Sequence, residues 1–281
     1  QFEVHVREIL TGDYNVIPLA VLVKNLKDSK AMPRKTIALT FDGGHKSVLH
    51  EAAPLLNAHE IPFTVFFSPG KADLNTDNFL NWRDLKAFAR HKNVTFGLHP
   101  DTYDRLSSMP GENIRKQIND AKAKFREKLG MEAKLFAYPF GEHGKNYKAI
   151  VSESGFDAAF GQQSSVAYPD TDFYELPRFP MTESFADLER FILTANALPL
   201  PVTDVEPEDT YIREDISSPG FTLHSSLAPD RESLSCFISE PGGVEIEFLG
   251  ERRVELRGID IFVSKRVRIN CTMPGPEIEA F

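Results

Sequence analysis

The feature that most limits the fold is a change of rhythm near residue 197. Up to that point TIALTF (36–41), PFTVFF (62–67), VTFGL (94–98), AKLFAY (133–138) and FDAAF (156–160) are apolar runs of strand length. Helical patterns separate most of them. The clearest covers 111–129, where Ile114, Ile118, Ala121, Phe125 and Leu129 recur at steps of three or four and Gly130 follows. Such alternation predicts an α/β fold, a parallel sheet or barrel with helices outside, whose chemistry gathers at the C-terminal ends of the strands. Asp42, His99 and Pro139 stand at such ends.

Beyond Ala197 the helical pattern stops. LPLPVTDVEPEDT (198–210) carries prolines and acids and reads as an extended linker over 199–210. GFTLHSSL, SLSCFISE, VEIEFLG, RRVELRG, DIFVS and RVRINCT then alternate apolar and polar residues between Gly, Pro or Ser turns. That predicts a small all-β sandwich over 211–281, after a first domain covering 1–198. Cys236 and Cys271 fall in two of these runs, a placement that suits neighbouring strands and a bridge between them.

Bulk properties remove several classes of function. A net charge of −9 argues against a nucleic-acid partner, because phosphate binding depends on clustered Lys and Arg. No apolar run approaches the roughly 18–20 residues of a membrane span, so no transmembrane segment is expected. The chain starts at Gln1 with no charged-then-apolar leader, as a mature or excised fragment would.

Three clusters bear chemistry. TFDGGHKS places Asp42 at a strand end with His45 three residues on. FGLHPDTYDRL (96–106) places His99 at another end with Tyr103 four residues later, and LFAYPFGEHG (135–144) runs a strand into Pro139, Phe140 and Gly141. Trp82 shares helical spacing with Leu85 and reads as core. Tyr103, Tyr138 and Phe140, with Pro139 between the last two, are expected to line a carbohydrate groove, since aromatic faces pack on sugar rings.

In this order and spacing the clusters resemble the polysaccharide deacetylases with a NodB-type domain, carbohydrate esterase family 4. The branch acting on poly-N-acetylglucosamine and related exopolysaccharides is the nearest in pattern. PLLNAHEIPFTVFF (54–67), NWRDLKAFA (81–89) and ELPRFPM (175–181) extend the likeness, which covers roughly residues 1–198. The resemblance implies a distorted (β/α) barrel and metal-assisted hydrolysis of an acetyl group on a polysaccharide or oligosaccharide, with zinc or a similar divalent cation. It implies export to the periplasm or the extracellular space, and so an oxidising compartment for a Cys236–Cys271 disulfide.

Carried over by position, Asp42 matches the general base, His99 a metal ligand and Phe140 the backbone N–H donor to the oxyanion. Ala137 stands where many members have an arginine that orients the base, and Arg178 is the expected substitute. Two positions depart from the pattern. Gly43 stands where a ligand aspartate belongs and Tyr103 where a second ligand histidine belongs. A divalent cation needs about three protein ligands, so either the site is rebuilt or hydrolysis is lost. His45 is the expected replacement ligand, with Asp101, Asp104 and His143 as further nearby polar groups. Three functions therefore compete: a deacetylase with an altered metal site, an inactive relative that binds glycan, and an interaction scaffold working through the sandwich.

Overall fold

Five short parallel strands form the sheet of the first unit: β1 (Leu39–Phe41), β2 (Phe63–Phe67), β3 (Val94–Leu98), β4 (Leu135–Ala137) and β5 (Ala158–Phe160). They pair in sequence order in a computed structural model that describes residues 1–212, 218–226, 232–239, 243–258 and 266–275. Every residue of β2 is buried, which is why FTVFF is mostly apolar and rich in aromatic and β-branched residues. The sheet curls into a half-barrel with helices, an open form of the distorted barrel that the sequence suggests.

Helices fill the connections: α1 (Phe2–Thr11), α2 (Leu19–Lys27), α3 (Ala53–Ala58), α4 (Pro69–Leu74), α5 (Trp82–Phe88), α6 (Gly111–Leu129), α7 (Lys145–Glu153) and α8 (Leu188–Ala195). α6 buries Ile114, Ile118, Ala121 and Phe125, the stripe its spacing predicts. Burying each large apolar side chain of that stripe contributes about 1.5–3 kcal/mol. The helix stops at Gly130, whose φ of 68° lets its N–H bond back to Arg126 O at 2.9 Å. α5 starts with a capping box in which Asn81 and Asp84 satisfy each other's backbone N–H groups. Trp82 packs edge-on against Phe67 and donates to Asp73. The core between sheet and helices includes Phe63, Phe88, Phe125, Phe136, Tyr138 and Tyr147.

Residues 173–178 run beside β5 and extend the sheet edge. Ala159 N–H donates to Phe173 O, Leu176 N–H to Ala159 O, and Gly161 N–H to Leu176 O, at 2.8–2.9 Å. This attachment delivers Arg178 to the C-terminal end of the sheet.

The second unit comprises 164–166 and 197–281. Its strands are β6 (Val202–Glu206), β7 (Gly220–Leu223), β8 (Ser235–Ile238), β9 (Glu245–Leu249), β10 (Arg253–Arg257) and β11 (Ile269–Thr272). One antiparallel sheet has the order β9-β10-β7-β6 and a second pairs β8 with β11. Phe221, Leu223, Leu234, Val254 and Leu256 are buried together, with Ile269 packed against them. Cys236 faces Cys271 in register and the two form a disulfide. The stretch expected as a linker is corrected here. Residues 202–206 form an edge strand, where flanking prolines interrupt no ladder. The expected strand DIFVS lies outside the described residues.

Candidate active site

Asp42 follows β1, His99 follows β3, Phe140 lies three residues beyond β4, and Gln162 two beyond β5, so all four emerge at one end of the sheet. The turn after Asp42 is made by Gly43 at φ 89° and Gly44 at φ 64°. A side chain on Gly44 would meet Phe67 Cβ at 2.6 Å, so the turn sits directly on the sheet.

Asp42 is held on both oxygens. Arg178 donates from Nη1 to Oδ1 at 2.7 Å and from Nη2 to Oδ2 at 2.8 Å, a bidentate pair, and Gln162 Nε2 donates to Oδ2 at 3.0 Å. Arg178 also donates from Nε to Gly161 O and from Nη1 to Thr40 Oγ1, and its guanidinium lies over the rings of Phe66 and Phe160. Burial alone pushes the Asp42 carboxyl up. The charge of Arg178, that of His99 once acid protonates it, and the hydrogen bonds from Arg178 and Gln162 overcome that and bring it down to about 2.

His99 is fully buried. Its Nδ1 is 2.7 Å from Ala137 O, and its Nε2 accepts the backbone N–H of Gly43 at 3.1 Å. A nitrogen that accepts from an amide carries no proton, so the Nδ1–H tautomer donates to Ala137 O. Burial lowers the imidazole pKa to about 4, against the attraction of Asp42. His99 is neutral at pH 7 and both of its nitrogens are in use.

Tyr103 closes this side. Its ring meets His99 edge-on at 4.7 Å and Phe140 at 5.0 Å. Burial, with the negative charge of Asp42, raises the phenol to about 12, opposed by a hydrogen bond from the Phe140 backbone. Phe140 has φ 60°, unusual for a residue with a side chain and a mark of a constrained site. Arg105 lies over the Phe140 ring at 4.5 Å and pairs with Glu142.

The sequence-expected residues fare differently. Asp42, Arg178, His99, Tyr103 and Phe140 come together. His45 is exposed and its ring lies 4.7 Å from that of Phe79, tilted by 34°, with its Nε2 3.0 Å from where a Cβ on Gly43 would stand. Tyr138 and Pro139 are corrected as groove residues, because both are buried. Tyr138 is fully enclosed, stacked on His143, set against Tyr147, and bonded through its hydroxyl to Tyr174 O. Asp101 pairs with Lys124, which also holds Asp73; Asp104 is exposed; His143 packs beneath Tyr138 near Glu175. Among the described residues no group of three or more His, Cys, Asp or Glu is arranged to hold a metal ion. Gln162, Thr40 and Arg105 were not singled out from sequence. Gln162 follows a strand end, the one signal that marks it.

A protein-family model described as polysaccharide deacetylase matches residues 29–159. A poly-β-1,6-N-acetyl-D-glucosamine N-deacetylase of Staphylococcus epidermidis is 20% identical over 189 residues, 63% of this chain and 65% of that protein. The chain spans less than two thirds of the length of the curated relatives it matches. Among solved structures, IcaB from Ammonifex degensii aligns with a TM-score of 0.63 and 20% identity, over 70% of this chain and 88% of that one. The Streptococcus pyogenes deacetylase PplD, in complex with acetate, aligns with a TM-score of 0.60 and 16% identity, over 63% and 78%. At these identities the structural likeness is a likeness of fold.

Proposed function

We propose, for a chain whose residues 29–159 belong to the polysaccharide deacetylase family, that its site binds an aminosugar polymer without metal-assisted hydrolysis. One observation carries the reading: His99 Nε2, the nitrogen free to face a cation, is hydrogen-bonded to the Gly43 N–H. The donors present do not fit a divalent cation, which needs about three protein ligands. Gly43 has no side chain, Tyr103 is a phenol raised to about 12, and both Asp42 oxygens are engaged. A carboxylate at about 2 is also a weak base, able to take a proton only from a strongly acidified water.

The ligand is an N-acetylglucosamine polymer or oligomer, a reading that the name of the Staphylococcus epidermidis relative supports. Tyr103 and Phe140 offer ring faces to it, with Arg105 at the rim. The Cys236–Cys271 disulfide supports a periplasmic or extracellular location, since such bonds persist in oxidising compartments. No helix among the described residues is long and apolar enough to cross a membrane.

A second reading, hydrolysis with a rebuilt ligand set, is favoured by the bidentate Arg178 grip that holds Asp42 as a base would be held. One experiment separates the two. Purified protein is titrated calorimetrically with N-acetylglucosamine oligomers and assayed for acetate, with zinc and with chelator. Saturable binding with no acetate release supports the binding reading. Chelator-sensitive acetate release overturns it in favour of the second.

A further inference from the structure

We infer that Gln162 is a positioning residue: it fixes the Asp42 carboxylate against the Phe140 turn across the open seam of the half-barrel, so that a change at either is felt at the other. The inference goes beyond the reading above and holds whether the site binds a glycan or hydrolyses its acetyl groups.

The need for such a residue comes from the topology. β1 and β5 are the two edges of the sheet, and the strand order gives them no backbone pairing with each other. Asp42 follows β1, whereas the Phe140 turn follows β4 and Gln162 follows β5. Among the described residues, the hydrogen bonds that join Thr40 and Asp42 to the β5 side come from side chains. Arg178 donates to both, and Gln162 Nε2 donates to Asp42 Oδ2 at 3.0 Å. Arg178 is set in place by the same short segment, since its own N–H donates to Gln163 O at 3.1 Å and its Nε to Gly161 O at 2.8 Å. Residues 161–163 therefore act as a bracket across the seam.

Gln162 also carries the Phe140 turn. A Cβ on Gly141 would stand 2.5 Å from both the Cβ and the backbone N of Gln162, so the turn rests directly on that residue. Phe140 at φ 60° and Gly141 at φ 70° are two successive left-handed residues. Gly141 N–H to Tyr138 O at 2.9 Å and Glu142 N–H to Pro139 O at 3.1 Å close the turn. A conformation of this kind persists only where its surroundings hold it. Gln162 presses on it from the β5 side with its backbone and Cβ, while its amide grips Asp42. One side chain thus supports both parts of the site.

The link is struck from both ends in isotope-labelled protein at pH 7, without any ligand. Gly141→Ala pushes on Gln162, and the resonance of the Asp42 carboxyl carbon is followed. It is expected to move in the same direction as in Gln162→Leu, which keeps the bulk and removes the amide. The double variant should leave it where Gln162→Leu alone puts it. An Asp42 resonance unmoved in folded Gly141→Ala, or one that moves further in the double variant, overturns the inference, because the effect then does not run through Gln162. A purely structural Gln162 would alter stability and leave that resonance in place. Gln162→Leu read from the other end serves where the alanine variant fails to fold. Freeing the side chain from Asp42 should weaken the hold on the turn by about one hydrogen bond and speed amide exchange at Gly141 and Glu142 about fivefold. Unchanged exchange at both overturns the inference.

Discussion

Asp42 and His99 leave the same end of one sheet, two strands apart, and finish in opposite chemical states. Asp42 keeps its charge because a guanidinium and an amide meet both of its oxygens. His99 keeps none, since burial without an opposing hydrogen-bond acceptor at Nε2 favours the neutral ring, and a backbone N–H covers that nitrogen. The first half holds a carboxylate in a bidentate pair. In the second half the Gly43 N–H covers His99 Nε2, the contact on which the proposed loss of a cation site rests. The contrast teaches that a buried charge survives where its counter-charge is supplied by the same fold, and that a ligand-type nitrogen lacking co-ligands is satisfied by the nearest amide.

The largest expected effect lies on the charged half. Arg178→Met leaves the Asp42 carboxylate buried without its partner and should cost about 3–5 kcal/mol, read by urea unfolding. Arg178→Lys should recover part of this, since an ammonium lacks the planar fork. A cost for Arg178→Met below about 1 kcal/mol, the value of an exposed pair, would show that Asp42 is held by something else.

A second contrast sets the aromatic core of the first unit against the small buried cluster of the second, to which Cys236 and Cys271 add a covalent link. Replacing both cysteines by serine should lower the stability of the second unit by about 2–4 kcal/mol. Alkylation of two free thiols in native, unreduced protein is the contrary result.

The neutral half predicts a pH window. His99 has a folded pKa depressed from 6.5 to about 4, so between those values the unfolded chain binds the extra proton. Its contribution is present above pH 6.5 and is lost as pH falls toward 4, by roughly 3 kcal/mol in all. Asp42, depressed to about 2, adds a separate loss only below its ordinary value near 3.8. His99→Gln should flatten the upper window and leave the lower. An unchanged slope between pH 6.5 and 4 in that variant contradicts the assignment.

The smallest effect tests whether the closed half reopens on restoring one carboxylate. Gly43 stands at φ 89°, and its Cβ would lie 3.0 Å from the His45 ring. Gly43→Asp should therefore cost about 1–2 kcal/mol without creating a metal site by itself. Gly43→Asp with Tyr103→His should bind metal only if the turn relaxes. A Gly43→Asp protein as stable as the wild type would mean that the turn already moves.

Much of this was legible before the structure. The five parallel strands and α6 followed from apolar runs and helical spacing, and the placing of Asp42 and His99 at strand ends, with Arg178 paired to Asp42, from motif positions. Tyr138 and Pro139 were misread, because nearness to a motif says nothing about which way a chain faces as it leaves a strand; both turn into the core. The Gly43–His99 contact was hidden in principle, since it is made by a backbone amide that every non-proline residue carries. VTDVE (202–206) read as linker because prolines flank it, and it pairs as an edge strand, where they are tolerated.

The central claim, that the His99 half has closed to a divalent cation, is tested most directly by metal content. Protein dialysed against zinc, then against metal-free buffer, is measured by elemental mass spectrometry. The account predicts well under one equivalent of zinc per chain, unchanged by His45→Ala, and one stoichiometric equivalent removable by chelator would contradict it.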